Sequence, residues 1–321
     1  MICFITTSAH CYTLHELEDV PGMPELRFMS YNGMLRKRHL PAATYIFADL
    51  DRLGYWHLEL AARVFRLLRS KGLTVLNDPA RLLFRYPLLK RLKASGLNSF
   101  EAWDAAVDGL PDRYPVFLRT KAAHRGTLSA LLHSPAEAEA KLDDLIADGY
   151  CLNDLMFIEF CAEPIQDGLY RKLSAFRIGD QVVTGMSVHE HAWHAKNGEL
   201  GAATPELYQE EYENVDNNHF GEQLAPYFHA ANIEFGRVDF ALVQGRIEVY
   251  EINTNPHVSL ITDHPNPMRN KADALYHERL ANALQQIDAP KNNQDKIALN
   301  SDVFVEQRRR DRLVLRERWA P

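Results

Sequence analysis

The chain has 321 residues, 46% of them hydrophobic and 25% charged, an ordinary globular composition with room for two or three small domains. No apolar run approaches the roughly 18 residues needed to span a bilayer, which argues against a membrane protein. A formal net charge of −7 argues against a general nucleic-acid binder.

Residues 1–78 alternate strand and helix. Short apolar or β-branched runs at 2–6, 26–29, 44–48 and 73–76 predict strands. The first of these, with no basic residues before it, reads as a core strand rather than a signal peptide. Residues 55–70 repeat Leu58, Ala61, Ala62, Phe65 and Leu68 at helical spacing until Lys71-Gly72 ends them. The pattern predicts a small parallel α/β unit with its functional edge at the strand C-termini. A connecting helical segment follows at 79–113, in which Asn77-Asp78-Pro79 opens a helix running to about Ala94. From 114 to 163 the order becomes strand (115–119), loop (122–127), helix and strand (155–160), the helix opened by the capping box Ser134-Pro-Ala-Glu137. Between 164 and 289 lie a hairpin around Gly179-Asp180, a helix at 220–231, a longer hairpin and a helix at 270–287. Residues 290–321 form a linker-like break and a basic, helix-prone tail. The tail reads either as a solvated helix or as a contact with a partner or second subunit, so a homodimer is one expectation. Cys3, Cys11, Cys151 and Cys161 lack Cys-x-x-Cys spacing and read as reduced, mostly buried thiols of a cytoplasmic protein.

The longer hairpin, from Gly236 to Pro256, says most about chemistry. Arg237 and Asp239 lie two apart on one strand, Glu251 and Asn253 two apart on the other, so each pair shares a face. Asp239 and Glu251 face the same way only if cross-strand partner numbers sum to an even number. That parity predicts a three-residue turn at Gln244-Gly245-Arg246, with Gly245 or Arg246 left-handed. In that register the Asp239 face continues as Ala241, Val243, Ile247 and Val249, and Val238, Phe240, Leu242, Tyr250 and Ile252 fill the other. Two carboxylates about 4 Å apart repel by roughly 4 kcal/mol at an effective dielectric near 20. Either one is protonated or a cation sits between them. Two carboxylates and an amide oxygen suit Mg²⁺, which takes its remaining ligands from water and substrate phosphates. An Arg237–Asp239–Glu251 ion-pair cluster is the alternative.

Arg-x-Asp, a hairpin, then Glu251-Ile-Asn-Thr-Asn-Pro256 resembles the signature of the ATP-grasp superfamily, as in D-alanine–D-alanine ligases and glutathione synthetases. The resemblance covers roughly 77–262 by motif order, and the first 76 residues by fold type only. It implies α/β and α+β architecture: an ATP-grasp fold with an N-terminal Rossmann-like pre-ATP-grasp domain, a lid subdomain at 114–163 and a C-terminal subdomain at 164–289. It also implies ATP and Mg²⁺ as cofactors. Asp239, Glu251 and Asn253 would hold the metal, and Arg237 would stabilise the reacting centre. Two cations on the ATP phosphates fall by motif order on Arg85 and Arg119, each where the family more often has Lys. His124, Arg125 and Gly126 sit where the family has a loop over the phosphates, whose backbone N–H groups form an anion nest. Phe157-Ile-Glu-Phe-Cys161 resembles the adenine hinge, placing Ile158, Glu159 and Phe160 at the base and ribose. Lys196 is the first choice for a further cation at the γ-phosphate, ahead of Lys172 or Arg177.

The activity so implied is ADP-forming ligation of a carboxylate and an amine, amino-acid-like or peptide, through an acyl phosphate. Positioning and charge neutralisation would carry it rather than a protein nucleophile. A phosphotransferase on the same scaffold, or a nucleotide-binding protein without turnover, are the other readings. Where family ligases often follow the motif with Gly, this chain has His257-Val258-Ser259, which reshapes the acceptor pocket. Two competing constellations stand apart. His189, His191 and His194 read as an open zinc site, as substrate contacts or as packed histidines. Asp49-Leu-Asp51 reads as a helix cap or as a contact for a substrate amine.

Overall fold

The computed structural model describes residues 1–122, 126–260, 263–288 and 296–317. The chain divides into two units. One comprises Met1–Leu82, Thr254–Leu260 and His277–Pro321, the other Leu83–Asn253 and Ile261–Tyr276.

The first unit is built on a four-stranded parallel sheet in the order Leu26–Ser30, Ile2–Thr6, Thr44–Phe47, Val75–Leu76. Ile2–Thr6 is buried at every position, as a central parallel strand covered on both faces must be. That requirement explains why its sequence is an unbroken apolar run rather than an alternating one. Helix Tyr55–Ser70 turns Leu58, Ala61, Val64, Phe65 and Leu68 inward, and Phe65 meets the sheet edge-on at Phe47, 5.9 Å between ring centroids. Each such large side chain contributes about 2 kcal/mol by leaving water.

The helix expected to open at Asn77 does not. Asn77 has a left-handed backbone (φ 64°), and its amide donates to Phe47 O at 2.9 Å, tying the chain to the sheet. The helix instead spans Arg85–Ala94. Pro87 lies in its first turn, where the missing N–H leaves no bond unmade. The cysteines are free thiols, but only Cys3 is buried; Cys11 and Cys161 are half-buried and Cys151 is exposed. The expectation of mostly buried thiols fails because Cys151 falls in the polar turn after a helix rather than in a strand.

Among the described residues the second unit holds two antiparallel sheets. A five-stranded sheet runs Gln181–Thr184, Tyr170–Ile178, Phe235–Val243, Arg246–Asn253, with Val188–Glu190 also pairing along Tyr170–Ile178. A three-stranded sheet runs Ala102–Asp104, Leu155–Glu159, Val116–Thr120. Helix Pro135–Ala147 covers one face of the smaller sheet through Ala138 and Leu145. Its start is capped as the sequence predicts. Ser134 Oγ accepts from Glu137 N at 3.3 Å, while Glu137 Oε2 accepts from His133 N at 2.9 Å. The three-residue strand Ala102–Asp104 and the acidic helix Pro205–Asp216 were not expected, the first being too short to show a period. Among the described residues no helix is long and apolar enough to cross a membrane.

Candidate functional site

Phe235–Val243 and Arg246–Asn253 form the long hairpin, paired Arg237↔Asn253, Val238↔Ile252 and Asp239↔Glu251. Its turn has two residues, not three. Gln244 (φ 52°) and Gly245 (φ 75°) are both left-handed, the requirement of a type I′ turn. The pairing beyond the turn is Val243↔Arg246, Leu242↔Ile247, Ala241↔Glu248 and Phe240↔Val249, and the register then shifts between Phe240 and Asp239. Tyr250 is the extra residue of a β-bulge. The even parity therefore comes from the bulge. The expected faces change with it: Ile247 and Val249 lie opposite Leu242 and Phe240, and Tyr250 lines the same cleft as Asp239, Ala241 and Glu251. Gly236 lets the strands close at the other end, because a Cβ there would lie 2.8 Å from Asn253 O.

The two carboxylates are each met by cations. Asp239 is buried, 3.0 Å from Arg237 Nε and 3.2 Å from Lys172 Nζ. Glu251 accepts from Arg85 Nη2 and, at 3.0 Å, from Arg119 Nη2. Arg85 is itself buried and also donates to Thr120 O at 3.0 Å. Asp239 raises the pKa of the Arg237 guanidinium against the opposing effect of burial. The cluster thus holds four cations around two carboxylates, an excess of positive charge suited to a polyanion. In addition, the Nε atoms of Arg85 and Arg119 are buried with no hydrogen-bond partner among the described residues. Such atoms mark donors awaiting a partner.

This cluster opens onto a cleft between the two sheets of the second unit, lined by Arg119, Lys172, Asp239 and Glu251 and by an apolar set including Phe117, Ile158, Phe160, Trp193 and Ala241. Trp193 packs 4.8 Å from Phe117 and 5.6 Å from Phe160. Gly126, left-handed at φ 83°, and Lys196 also line it, and Lys196 has no ion-pair partner among the described residues. Glu159 lines it while its carboxylate accepts from Glu101 N at 2.8 Å and pairs with Arg113 at 3.0 Å. Arg85, Arg237 and Asn253 are not part of this lining. His124 and Arg125 lie outside the described residues. Cys161 lines the cleft, and burial pushes its thiol up to about 11, which disfavours the nucleophilic thiolate.

Sequence order did not disclose that Arg85 and Arg119 converge on Glu251, or that Tyr250, Phe117 and Arg113 belong to this region. None carries a local signal; each arrives from a distant part of the chain. Arg177, the other candidate cation, is used elsewhere, donating to Gly179 O and Ile233 O. The three histidines do not gather. His189 is buried, exposed His191 bonds Glu199 at 2.8 Å, and His194 lies against Trp193. No group of three or more His, Cys, Asp or Glu is placed to hold a metal among the described residues. Two paired carboxylates with an amide nearby are instead the partial ligand set that Mg²⁺ uses when substrate oxygens complete its shell.

No family model matches the chain, and no curated protein matches it. Solved structures do. D-alanine–D-alanine ligase from Bacillus anthracis complexed with ATP superposes over 97% of this chain and 99% of its own, with TM-score 0.50 and 12% identity. A second structure of the Bacillus anthracis ligase gives the same coverage and TM-score at 13% identity. The ATP-grasp ligase PsnB with its minimal precursor covers 89% of this chain and 99% of its own, at TM-score 0.49 and 13% identity. With two sheets, the carboxylate-bearing hairpin and this end-to-end likeness together, the chain has the ATP-grasp fold.

Proposed function

We propose that this protein is an ATP- and Mg²⁺-dependent ligase that joins a carboxylate to an amine, amino-acid-like or peptide, through an acyl phosphate with release of ADP. The observation that carries the proposal is the Asp239–Glu251 pair, held face to face by the bulge at Tyr250 and ringed by Arg85, Arg119, Lys172 and Arg237. The fold shared with a ligase crystallised with ATP supports it.

In this reading Asp239, Glu251 and Asn253 hold Mg²⁺, which when bound offsets triphosphate charge and orients the γ-phosphate. Arg119 and Lys172, already lining the cleft, grip phosphate oxygens, and Arg85 steadies them. The guanidinium fork suits this because it binds two oxygens at once. Gly126 and Lys196, both in the cleft lining, meet the phosphates. Ile158 and Phe160 receive the base, and Glu159 the ribose. Arg237 stabilises negative charge on the acyl phosphate and on the tetrahedral oxyanion that follows. The carboxylate attacks the γ-phosphorus and ADP leaves. The amine then attacks the acyl carbon and phosphate leaves. No protein nucleophile is required, consistent with the neutral Cys161 thiol.

The test is ADP release by the purified protein with pooled amino acids and carboxylates, and trapping of the intermediate with hydroxylamine as a hydroxamate. A phosphorylated product without hydroxamate would point to a phosphotransferase. ATP binding without turnover would point to a nucleotide-binding protein, and absence of Mg²⁺-dependent ATP binding would falsify the reading altogether.

A further inference from the structure

We propose that Glu190 is a positioning residue that fixes the loop 192–198, of which residues 193–196 line the cleft. Its consequence for ligand binding rests on the nucleotide reading above; the positioning itself does not.

Glu190 ends the strand Val188–Glu190, whose register against Tyr170–Ile178 is Val188↔Lys172, His189↔Arg171 and Glu190↔Tyr170. The same partner strand presents Lys172 to Asp239, so Glu190 springs from the rigid sheet of the charged cluster. One carboxylate oxygen of Glu190 accepts from three successive backbone N–H groups, Lys196 at 2.9 Å, Asn197 at 2.6 Å and Gly198 at 2.7 Å. Converging N–H groups of this kind form an anion nest, and here the chain fills it with its own side chain. Gly198 is left-handed at φ 83°, a conformation that other side chains adopt only under strain. Burial alone would raise the Glu190 pKa, but the three N–H groups outweigh it and the carboxyl is held below its ordinary range.

The nest controls what the loop presents. Trp193 and Lys196 both line the cleft. Trp193 packs against Phe117 and Phe160, and Ala195 is buried. Residues 196–200 are exposed. His191 and Glu199 close the base of the loop, and Glu199 N donates to His189 O at 2.8 Å. Between that base and Trp193, the backbone around Lys196 is held chiefly by the Glu190 carboxylate. A charge-assisted acceptor serving three donors is a strong local constraint.

Amide hydrogen exchange at 196–198 and Trp193 emission, both read in the nucleotide-free protein, test the positioning. Glu190→Ala should speed exchange at these amides by about tenfold or more, and Glu190→Gln, which keeps an acceptor oxygen, should fall between it and the parent. ATP affinity with Mg²⁺ should weaken in the same order. Unchanged exchange in Glu190→Ala overturns the positioning, and faster exchange with unaltered ATP affinity overturns its consequence for ligand binding. If the parent protein binds no ATP, the nucleotide reading fails by itself and the exchange result alone decides the role of Glu190.

Discussion

Glu251 stands directly across the hairpin from Asp239, and it does so because Tyr250 is displaced from the ladder between Val249 and Glu251. Extending the two-residue turn without a bulge would place Tyr250 opposite Asp239 and send Glu251 to the other face. A single extra residue therefore decides whether two acidic groups share a site, since one step of register exchanges the faces of a strand. The bulge also turns the Tyr250 ring into the same cleft, where its hydroxyl donates to Cys161 O at 2.8 Å.

Glu251→Gln tests the pairing energetically. The substitution keeps shape but leaves the buried Arg85 guanidinium and its neighbour Arg119 without their carboxylate. Breaking one side of a largely buried pair costs about 3 kcal/mol. Urea unfolding should show that loss, and Mg²⁺-dependent ATP binding should vanish with it. Unchanged stability would mean that the arginines are not held by Glu251.

Arg119→Ala probes a coupling implied by the same contacts. Arg119 is 3.0 Å from Glu251, yet its proposed task is to grip phosphate. In that reading Glu251 would exchange an arginine for a metal as nucleotide arrives, and Mg²⁺ and ATP should each tighten the other's binding equally. Arg119→Ala should weaken ATP by about tenfold, the loss of one charge-assisted bond. The same change should strengthen Mg²⁺ binding in the absence of nucleotide, because Glu251 loses a competitor. Calorimetric titrations with metal alone and ATP alone decide it; equal Mg²⁺ affinity in both proteins defeats the exchange.

Much of this arrangement is legible in the sequence because it is local. Alternation places Arg237 with Asp239 and Glu251 with Asn253, the capping box marks helix Pro135–Ala147, and the parallel strands appear as apolar runs. The bulge is not legible, since a three-residue turn meets the same parity. Nor are the partners of Glu251: Arg85 and Arg119 lie 166 and 132 residues away in sequence, and only the folded sheets bring them together. The zinc reading of the histidines failed for a related reason. Alternation along Val188–Glu190 buries His189, while His191, past the strand end, remains outside.

Gln244→Asn should stabilise the protein. Gln244 is left-handed at φ 52° in a type I′ turn, a position that Asn tolerates better. Its backbone N–H to Glu163, at 2.7 Å, is unaffected by the change. A gain of about 0.5 kcal/mol in urea unfolding is expected, against a loss of about 1 kcal/mol for Gly245→Ala, whose φ is 75°. A loss with Asn would show that the Gln244 side chain itself contributes.

His189 predicts a pH dependence separate from the cleft carboxylates. It is buried, its Nε2 has no hydrogen-bond partner among the described residues, and burial together with Arg171 and Arg269 lowers its pKa from the ordinary 6.5 to about 4. The folded protein thus keeps this ring neutral where the unfolded chain would protonate it. Between pH 6.5 and 4 the unfolded state binds more protons, so stability should rise with pH across that window and level off above it. The full contribution is on the order of 3 kcal/mol. Carboxylates titrate below about pH 5, so the interval from there to 6.5 is the diagnostic one. His189→Leu should flatten the stability profile in that interval while leaving neutral-pH stability nearly unchanged. An identical slope in the variant would assign the pH dependence to another group.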